Sequence, residues 1–163
     1  MPIILTATTT DAIPILELQK RAYESEARLY NDWTIPPLTQ SLDSLLEEFQ
    51  SSKVLKATDG QVIVGSVRAR LCEQTCQIGR LMVEPALQGK GIGSALVQSI
   101  EKAFPLAKVF ELFTGSVSEG NIRLYRRHGY EVTDMQRLSE QVTFVIMSKR
   151  SVIPEVVVGN PLY

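Results

Sequence analysis

Residues 81–94 read LMVEPALQGKGIGS, an order typical of a strand, a short turn, a glycine-rich loop and the start of a helix. Such a loop can direct several backbone N–H groups at a phosphate, with the positive end of the helix behind them. We therefore expect the chain to bind a phosphorylated cofactor.

Three phosphate-binding patterns compete for this stretch. A P-loop requires a lysine followed directly by Ser or Thr, whereas Lys90 lies between glycines and Ser94 does not follow it. A dinucleotide fingerprint requires Gly-x-Gly-x-x-Gly early in a parallel βαβ unit, but these glycines alternate and follow about half of the chain. The pattern Gln/Arg-x-x-Gly-x-Gly/Ala, after a strand ending in Val-x-Pro, fits Gln88, Gly91 and Gly93. The alternative without a ligand is a glycine-rich turn that only starts a helix.

Composition restricts the class of protein. The chain has 163 residues, 44% of them hydrophobic, and its 17 basic and 18 acidic residues leave a net charge of -1. This balance argues against nucleic acid as a partner, because phosphate backbones select basic surfaces. No apolar run approaches the roughly 20 residues of a membrane span, and the N-terminus has no signal-like pattern. We expect a cytoplasmic protein that has no membrane partner.

Cysteine and histidine are scarce. Cys72 and Cys76 flank a predicted hairpin tip, and His128 is the only histidine. These three residues do not complete a zinc site, so no metal is predicted. Two reduced thiols are the expectation for a reducing compartment, and a cross-hairpin disulfide is the alternative.

Hydrophobic spacing and turn signals predict the other elements. Leu42, Leu45 and Phe49 share one face of a helix that Ser41 would cap, and Asp59-Gly60 is typical of a hairpin turn. The pattern predicts one domain over residues 1–150 and a tail over 151–163 that either pairs as an edge strand, between two subunits of a homodimer, or is loose. The predicted strands are residues 3–8, 54–58, 62–71, 77–83, 109–114, 130–137 and 141–148, and the predicted helices are residues 11–30, 42–49, 91–104 and 121–127.

A second motif lies downstream of the glycine loop. Asn121 follows Ser-Glu-Gly and precedes Leu124-Tyr125, which is followed in turn by Gly129-Tyr130. With both motifs in this order, the chain resembles the GNAT superfamily of acyl-CoA N-acyltransferases over roughly residues 3–148. The resemblance implies an α/β (α+β) fold, with a mixed, mostly antiparallel twisted sheet of about six to seven strands, about four helices, and central strands splayed to hold acyl-CoA.

The resemblance also implies a reaction. The chain would transfer an acetyl group from acetyl-CoA to a primary amine of a small molecule or an amino-acid-like acceptor, by direct attack in a ternary complex. Tyr125 resembles the family's acid, which protonates the departing thiolate; the alternative is a tyrosine packed on the sheet. Asn121 would bond the pantetheine arm or cap its helix. The cofactor-binding residues implied are Leu81, Met82 and Val83 for pantetheine, and Gln88, Gly89, Lys90, Gly91, Ile92, Gly93 and Ser94 for the pyrophosphate.

The general base and the acceptor are not implied in the same way. The family's two glutamate positions correspond here to Gln77 and Phe113, neither of which is a base. Glu73, at the predicted hairpin tip, and Glu84, before Pro85, are the carboxylates considered instead. A water chain, or an amine that is already partly neutral, is the alternative. Acids beside aromatic residues suit a cationic amine, and the candidates for such contacts are Tyr23, Glu24, Tyr30, Asp32, Trp33, Glu47 and Glu48.

Three other functions remain open at this stage. A non-catalytic acyl-CoA-binding module would keep the glycine loop without a working acid, and an acetyltransferase of protein amines would use the same cofactor. A nucleotide-binding interaction domain would bind ATP or NAD instead. Added ligands distinguish these possibilities, because a tight ligand stabilises the folded state.

Overall fold

The structure is a computed structural model that describes residues 2–151. A seven-stranded sheet with the order β1-β2-β3-β4-β5-β7-β6 forms its centre. The strands are β1 Ile3–Thr6, β2 Lys53–Asp59, β3 Val62–Cys72, β4 Thr75–Val83, β5 Val109–Gly115, β6 Glu131–Arg137 and β7 Thr143–Arg150. The helices are α1 Ala12–Ala22, α2 Glu24–Tyr30, α3 Pro36–Thr39, α4 Leu42–Ser51, α5 Ile92–Lys102 and α6 Glu119–Arg127, with 3-10 turns at Thr9–Asp11 and Pro85–Leu87.

The sheet separates two apolar clusters. Successive residues of a strand point to opposite faces, and accordingly Val54 packs with α1 and α4 whereas Leu55 packs with α5. Leu96 and Ile100 of α5 are fully buried in the larger cluster, which also takes in Tyr125 of α6. Helices α5 and α6 therefore cover one face, and α1 with α4 covers the other.

Strands β4 and β5 are the only parallel neighbours in the sheet of residues 2–151, and they stay together only briefly. Their pairing covers three residue pairs, Thr75 with Val109, Cys76 with Phe110 and Gln77 with Glu111. Beyond these pairs the strands separate, so that residues 78–83 and 112–115 face a gap. The splay that the resemblance implied is confirmed.

A bulge lies in β4 at the start of this gap. Ser66 of β3 pairs with Met82 and Arg68 pairs with Gly79, so that Arg80 and Leu81 belong to neither ladder. Arg80 takes the left-handed φ of 52°, which is uncommon outside glycine. The bulge bends β4 away from β5 and thereby helps to open the gap.

A buried polar network holds α1 and α4 on the sheet. The guanidinium of Arg68, 2% exposed, donates to the Glu48 carboxylate at 3.1 Å, to Gln19 at 3.1 Å and to Gln40 at 2.9 Å. Burial opposes ionisation of Glu48, but the bond and charge of Arg68 outweigh it and hold the Glu48 pKa below its usual range. Glu48 therefore has a structural role, because its carboxylate holds α4 against β3 through Arg68.

Most predicted elements are confirmed, including the Ser41 cap, whose hydroxyl accepts from Ser44 N–H at 3.1 Å. The single helix predicted over residues 11–30 is wrong in one respect: Tyr23, with φ -91° and ψ 1°, divides it into α1 and α2. Both cysteines are free thiols, as expected. No helix within residues 2–151 is long and apolar enough to cross a membrane. The edge strand considered for the tail falls on residues 152–163, outside the described residues.

Candidate active site

A cavity of about 520 Å³ lies beside the end of β4, in the part of that strand that no longer pairs with β5. Four parts of the chain surround it: the end of β4, the glycine-rich loop with the start of α5, the α1–α2 junction with α2, and α6. Of the predicted cofactor-binding residues, the cavity is lined by Leu81, Met82, Val83, Gln88, Gly89, Gly91, Ile92, Gly93, Ser94 and Asn121, while Lys90 is exposed beside them.

Two glycines of the loop take a backbone conformation that favours glycine. Gly89 and Gly91 have φ of 80° and 89°, and the space where a Cβ would stand is open at both. Gly91 occupies the N-cap position of α5, so the first N–H groups of that helix follow directly. At Gly93 a Cβ would lie 3.4 Å from Leu124 of α6, which is an ordinary contact, so this position does not require glycine for packing.

Two further contacts tie the loop and β4 to their surroundings. Ser94 Oγ lies 3.0 Å from Nε2 of His128, which joins the start of α5 to the end of α6. Burial lowers the pKa of His128. On the other side of the cavity, the hydroxyl of Tyr23 donates to the carbonyl oxygen of Leu81 at 3.2 Å. The break between α1 and α2 therefore places a phenol directly over the bulge.

The side-chain amide of Asn121 forms its hydrogen bonds with residues outside its own helix. Its Nδ2 donates to Glu26 Oε1 at 3.2 Å and lies 3.5 Å from Thr114 Oγ1. The hydroxyl of Ser118 donates to the same Glu26 oxygen at 2.6 Å. Since no side chain caps α6, the capping alternative for Asn121 is wrong, and its amide instead joins α6 to α2.

Tyr125 is buried at 6% exposure and does not line the cavity. Its ring packs edge-on against Tyr130, with centroids 6.1 Å apart. Burial first, then the neighbouring Tyr23 and the Glu26 carboxylate, raise the pKa of the Tyr125 phenol well above its usual range. The phenol is therefore protonated at neutral pH, which both the acid and the packing interpretation require.

The structure separates the residues that the sequence grouped as acceptor contacts. Tyr23 lines the cavity, and Tyr30 packs its hydroxyl against Gly115. Trp33 is half-exposed beneath the guanidinium of Arg28, 5.7 Å from it. The remaining carboxylates have other partners or positions: Glu24 pairs with Arg28, Asp32 accepts from Thr34, Glu48 pairs with Arg68, and Glu47 is exposed.

Neither carboxylate considered as a base is free at the gap. Glu73 is exposed at the β3–β4 turn, at the opposite end of β4 from Leu81. Glu84 forms an ion pair with Arg21 at 3.2 Å. At the family's glutamate positions, Gln77 accepts from Arg70 at 3.3 Å, and Phe113 stacks on Phe144 with centroids 5.0 Å apart.

Glu26 lines the cavity and was missed by the sequence reasoning. A signal for it existed, because Tyr23, Glu26 and Tyr30 are spaced three and four residues apart. Residues at these spacings share one helix face. Tyr23 and Tyr30 are among the acceptor contacts that the sequence predicts, and the Glu26 carboxylate between them lies on the same side of α2.

The comparisons with known proteins agree with this geometry. The model of the family described as "Acetyltransferase (GNAT) domain" matches residues 27–151, more than half of the chain. No curated protein matches the sequence significantly.

Solved structures share the fold at low sequence identity. The PaiA N-acetyltransferase of Thermoplasma acidophilum in complex with coenzyme A has 16% identity and a TM-score of 0.79, over 93% of this chain and 99% of that chain. The ribosomal-protein-S18-alanine N-acetyltransferase of Escherichia coli has 16% identity and a TM-score of 0.79, over 100% and 99%. The yncA protein of Salmonella typhimurium with its cofactor acetyl-CoA has 20% identity and a TM-score of 0.73, over 92% and 94%.

Proposed function

The chain belongs to the GNAT acetyltransferase family, and from this premise we propose that it transfers an acetyl group from acetyl-CoA to the primary amine of a small or amino-acid-like acceptor. The observation that carries the proposal is the cavity beside the part of β4 that has separated from β5, which the glycine loop lines on one side. Residues 1–150 would form the catalytic domain. Structural relatives with coenzyme A or acetyl-CoA bound support the choice of cofactor.

The residues around the cavity fit acetyl-CoA. Leu81 belongs to neither ladder, and an extended pantetheine arm pairs with such backbone in the manner of a strand. The open space above Gly89 and Gly91, at the N-terminus of α5, suits a pyrophosphate. When bound, acetyl-CoA supplies an acetyl thioester that is activated toward nitrogen nucleophiles.

The side chains of this protein would act on protons and orientation. Tyr125, which carries its proton at neutral pH, would protonate the departing thiolate. Tyr23 would bond the carbonyl oxygen of Leu81 and so keep the bulge of β4 in place. The backbone N–H groups at the end of this bulge would then polarise the thioester carbonyl. Asn121 would position α2 against α6.

A second candidate function is a non-catalytic acyl-CoA-binding module. The burial of Tyr125 outside the cavity lining favours it. So does the raised pKa of this phenol, because a thiolate, whose conjugate acid has a pKa of about 8.5, takes a proton from a weaker acid only at a cost in free energy. An acetyltransferase of protein amines is a variant of the first proposal with a larger acceptor.

The experiment that separates these functions measures CoA release from acetyl-CoA across a panel of amines, for the wild type and for Tyr125→Phe. Amine-dependent release that falls about 100-fold or more in the variant supports an acetyltransferase with Tyr125 as its acid. Release that the variant retains supports the packing interpretation of Tyr125. Acetyl-CoA binding without release on any amine, including peptide N-termini, supports the non-catalytic module.

A further inference from the structure

Glu26 is held at the cavity by one of its two carboxylate oxygens. Both hydrogen bonds to the side chain, from Ser118 and from Asn121, end on Oε1. Among residues 2–151, no hydrogen bond reaches Oε2. The carboxylate is therefore oriented by neutral donors, and its second oxygen has room for a further donor.

Charge sets Glu26 apart from the other carboxylates near it. Glu24, Glu48 and Glu84 each pair with an arginine within 4.0 Å, whereas within the described part of the chain no lysine or arginine pairs with Glu26. It is half-buried, and removing a carboxylate from water without a counter-ion costs free energy. A cation supplied by a ligand would offset this cost.

The surroundings of Glu26 are aromatic as well as acidic. Burial first, and then the Glu26 charge, raise the pKa of the Tyr30 phenol, and burial, Tyr23 and the Glu26 charge raise that of Tyr125. At Tyr23, burial and the Glu26 charge raise the phenol pKa, although the nearby Arg80 and Arg68 oppose them. All three rings are thus neutral and close enough to feel the carboxylate. Of the three, Tyr23 lines the cavity together with Glu26. A phenol ring beside a carboxylate suits a primary ammonium, which offers a positive charge and three N–H donors.

We propose that Glu26 binds the acceptor as its ammonium ion and removes one of its protons before attack. This inference rests on the proposed function and deepens it, by assigning a base on α2 and a cationic primary amine as the substrate class. The ammonium gives one proton to Glu26, and the freed nitrogen lone pair forms the C–N bond. As the C–S bond breaks, the thiolate takes a proton from the Tyr125 hydroxyl, and the nitrogen's second proton returns to that phenolate. Glu26 then releases its proton to solvent.

The two proton steps support each other. A proton on Glu26 removes a negative charge that otherwise raises the pKa of Tyr125. Transfer of the ammonium proton to Glu26 therefore favours release of the phenol proton by Tyr125. The coupling reduces the cost that the buried phenol would otherwise impose.

The test uses three probes that differ in one group. Benzylamine is protonated at neutral pH, benzyl alcohol is its neutral counterpart, and O-benzylhydroxylamine carries a primary amino group that is already unprotonated. Binding of benzylamine and benzyl alcohol to the enzyme with CoA is measured by calorimetry, and acetylation of the two nitrogen nucleophiles by CoA release. The variants are Glu26→Gln, which still accepts the bonds from Ser118 and Asn121, and Glu24→Gln, which removes a charge from the same helix.

We expect the wild type and Glu24→Gln to bind benzylamine at least about tenfold more tightly than benzyl alcohol, and Glu26→Gln to lose this preference. In Glu26→Gln, kcat/KM should fall by about 100-fold or more for benzylamine but by less than about threefold for O-benzylhydroxylamine, which needs no base. Affinity for acetyl-CoA should not change, and the Tm should not fall, because the substitution removes a half-buried charge that has no counter-ion.

Two results would overturn the inference: a wild type with no preference for the ammonium, or equal losses for both nucleophiles in Glu26→Gln. Equal losses would mean that Glu26 only joins α2 to α6. If Glu26→Gln does not fold, Ser118→Ala replaces it; this variant keeps the charge, and loss of ammonium preference there would also contradict the proposal. Absence of CoA release on every amine of the panel, peptide N-termini included, refutes the proposed function, while calorimetry still decides whether Glu26 binds the ammonium.

Discussion

Replacement of Gly115 by alanine tests how the end of β5 supports α2 above the gap. A Cβ at this position would overlap the hydroxyl and Cζ of Tyr30 and lie 2.8 Å from its Cε2. Tyr30 is buried at 7% exposure on the helix that carries Glu26. Because an ordinary contact begins near 3.4 Å, the ring must shift as a whole and displace α2.

The expected cost follows from overpacking. An extra methyl group in a well-packed site costs about 1–3 kcal/mol, and close approach to the Tyr30 hydroxyl and to two of its ring carbons places Gly115→Ala at the upper end. A loss of about 3 kcal/mol corresponds to a fall in Tm of roughly 6–12 °C for a domain of this size. Gly79→Ala is the matched control on the neighbouring strand, since nothing lies within 4 Å of its added Cβ.

Thermal unfolding of a small set of variants checks this reasoning. Tyr30→Phe should rescue Gly115→Ala only in part, because Cζ still overlaps the new methyl group, whereas Tyr30→Leu should rescue it more fully. A double-mutant cycle should then give a coupling energy of about 2 kcal/mol or more. Additive effects of the two substitutions, or a Tm for Gly115→Ala equal to that of Gly79→Ala, would refute the assigned contact.

Three further predictions concern other parts of the chain. Burial opposes ionisation of Asp11, but the Thr8 N–H and Lys56 outweigh it and hold the Asp11 pKa below its usual range. Asp11→Asn should therefore lower the free energy of unfolding by about 1 kcal/mol at pH 7, and this deficit should shrink in urea titrations made below about pH 4. Gly91→Ala should weaken acetyl-CoA binding in calorimetry by about tenfold or more, whereas Gly60→Ala, with a similar positive φ at a distant turn, should lower only the Tm; equal affinities in both would contradict the phosphate loop. Iodoacetamide should modify exposed Cys72 in the native protein but not Cys76, since burial raises the pKa of that thiol to about 12; mass spectrometry that finds Cys76 labelled first would contradict this.

Local rules account for much of the fold. The Ser41 cap, the Asp59-Gly60 turn and the glycine loop each depend on residues within a few positions of one another, and the structure confirms all three. The mixed, mostly antiparallel sheet followed from a resemblance that combined two motifs. For the cap, the turn and the loop the physical cause was short-range, so the sequence contained it.

The remaining features depend on contacts that are distant in sequence. Tyr23 divides the first helix, and its hydroxyl bonds Leu81, 58 residues away. Glu26 meets Ser118 across 92 residues. Periodicity indicated the helix face that carries both side chains, but only the folded sheet shows which other element that face meets. The same holds for Arg80, whose left-handed backbone serves the bulge and follows no local signal.

The three residue pairs between β4 and β5 divide the sheet into two parts, β1–β4 and β5–β7, which share a short junction. This junction is the first place where thermal opening is expected, because few backbone bonds cross it. If the proposed function holds, acetyl-CoA contacts both parts of the sheet and stabilises the junction. The folded population, and with it the resistance of the chain to proteolysis, would then rise and fall with the supply of acetyl-CoA.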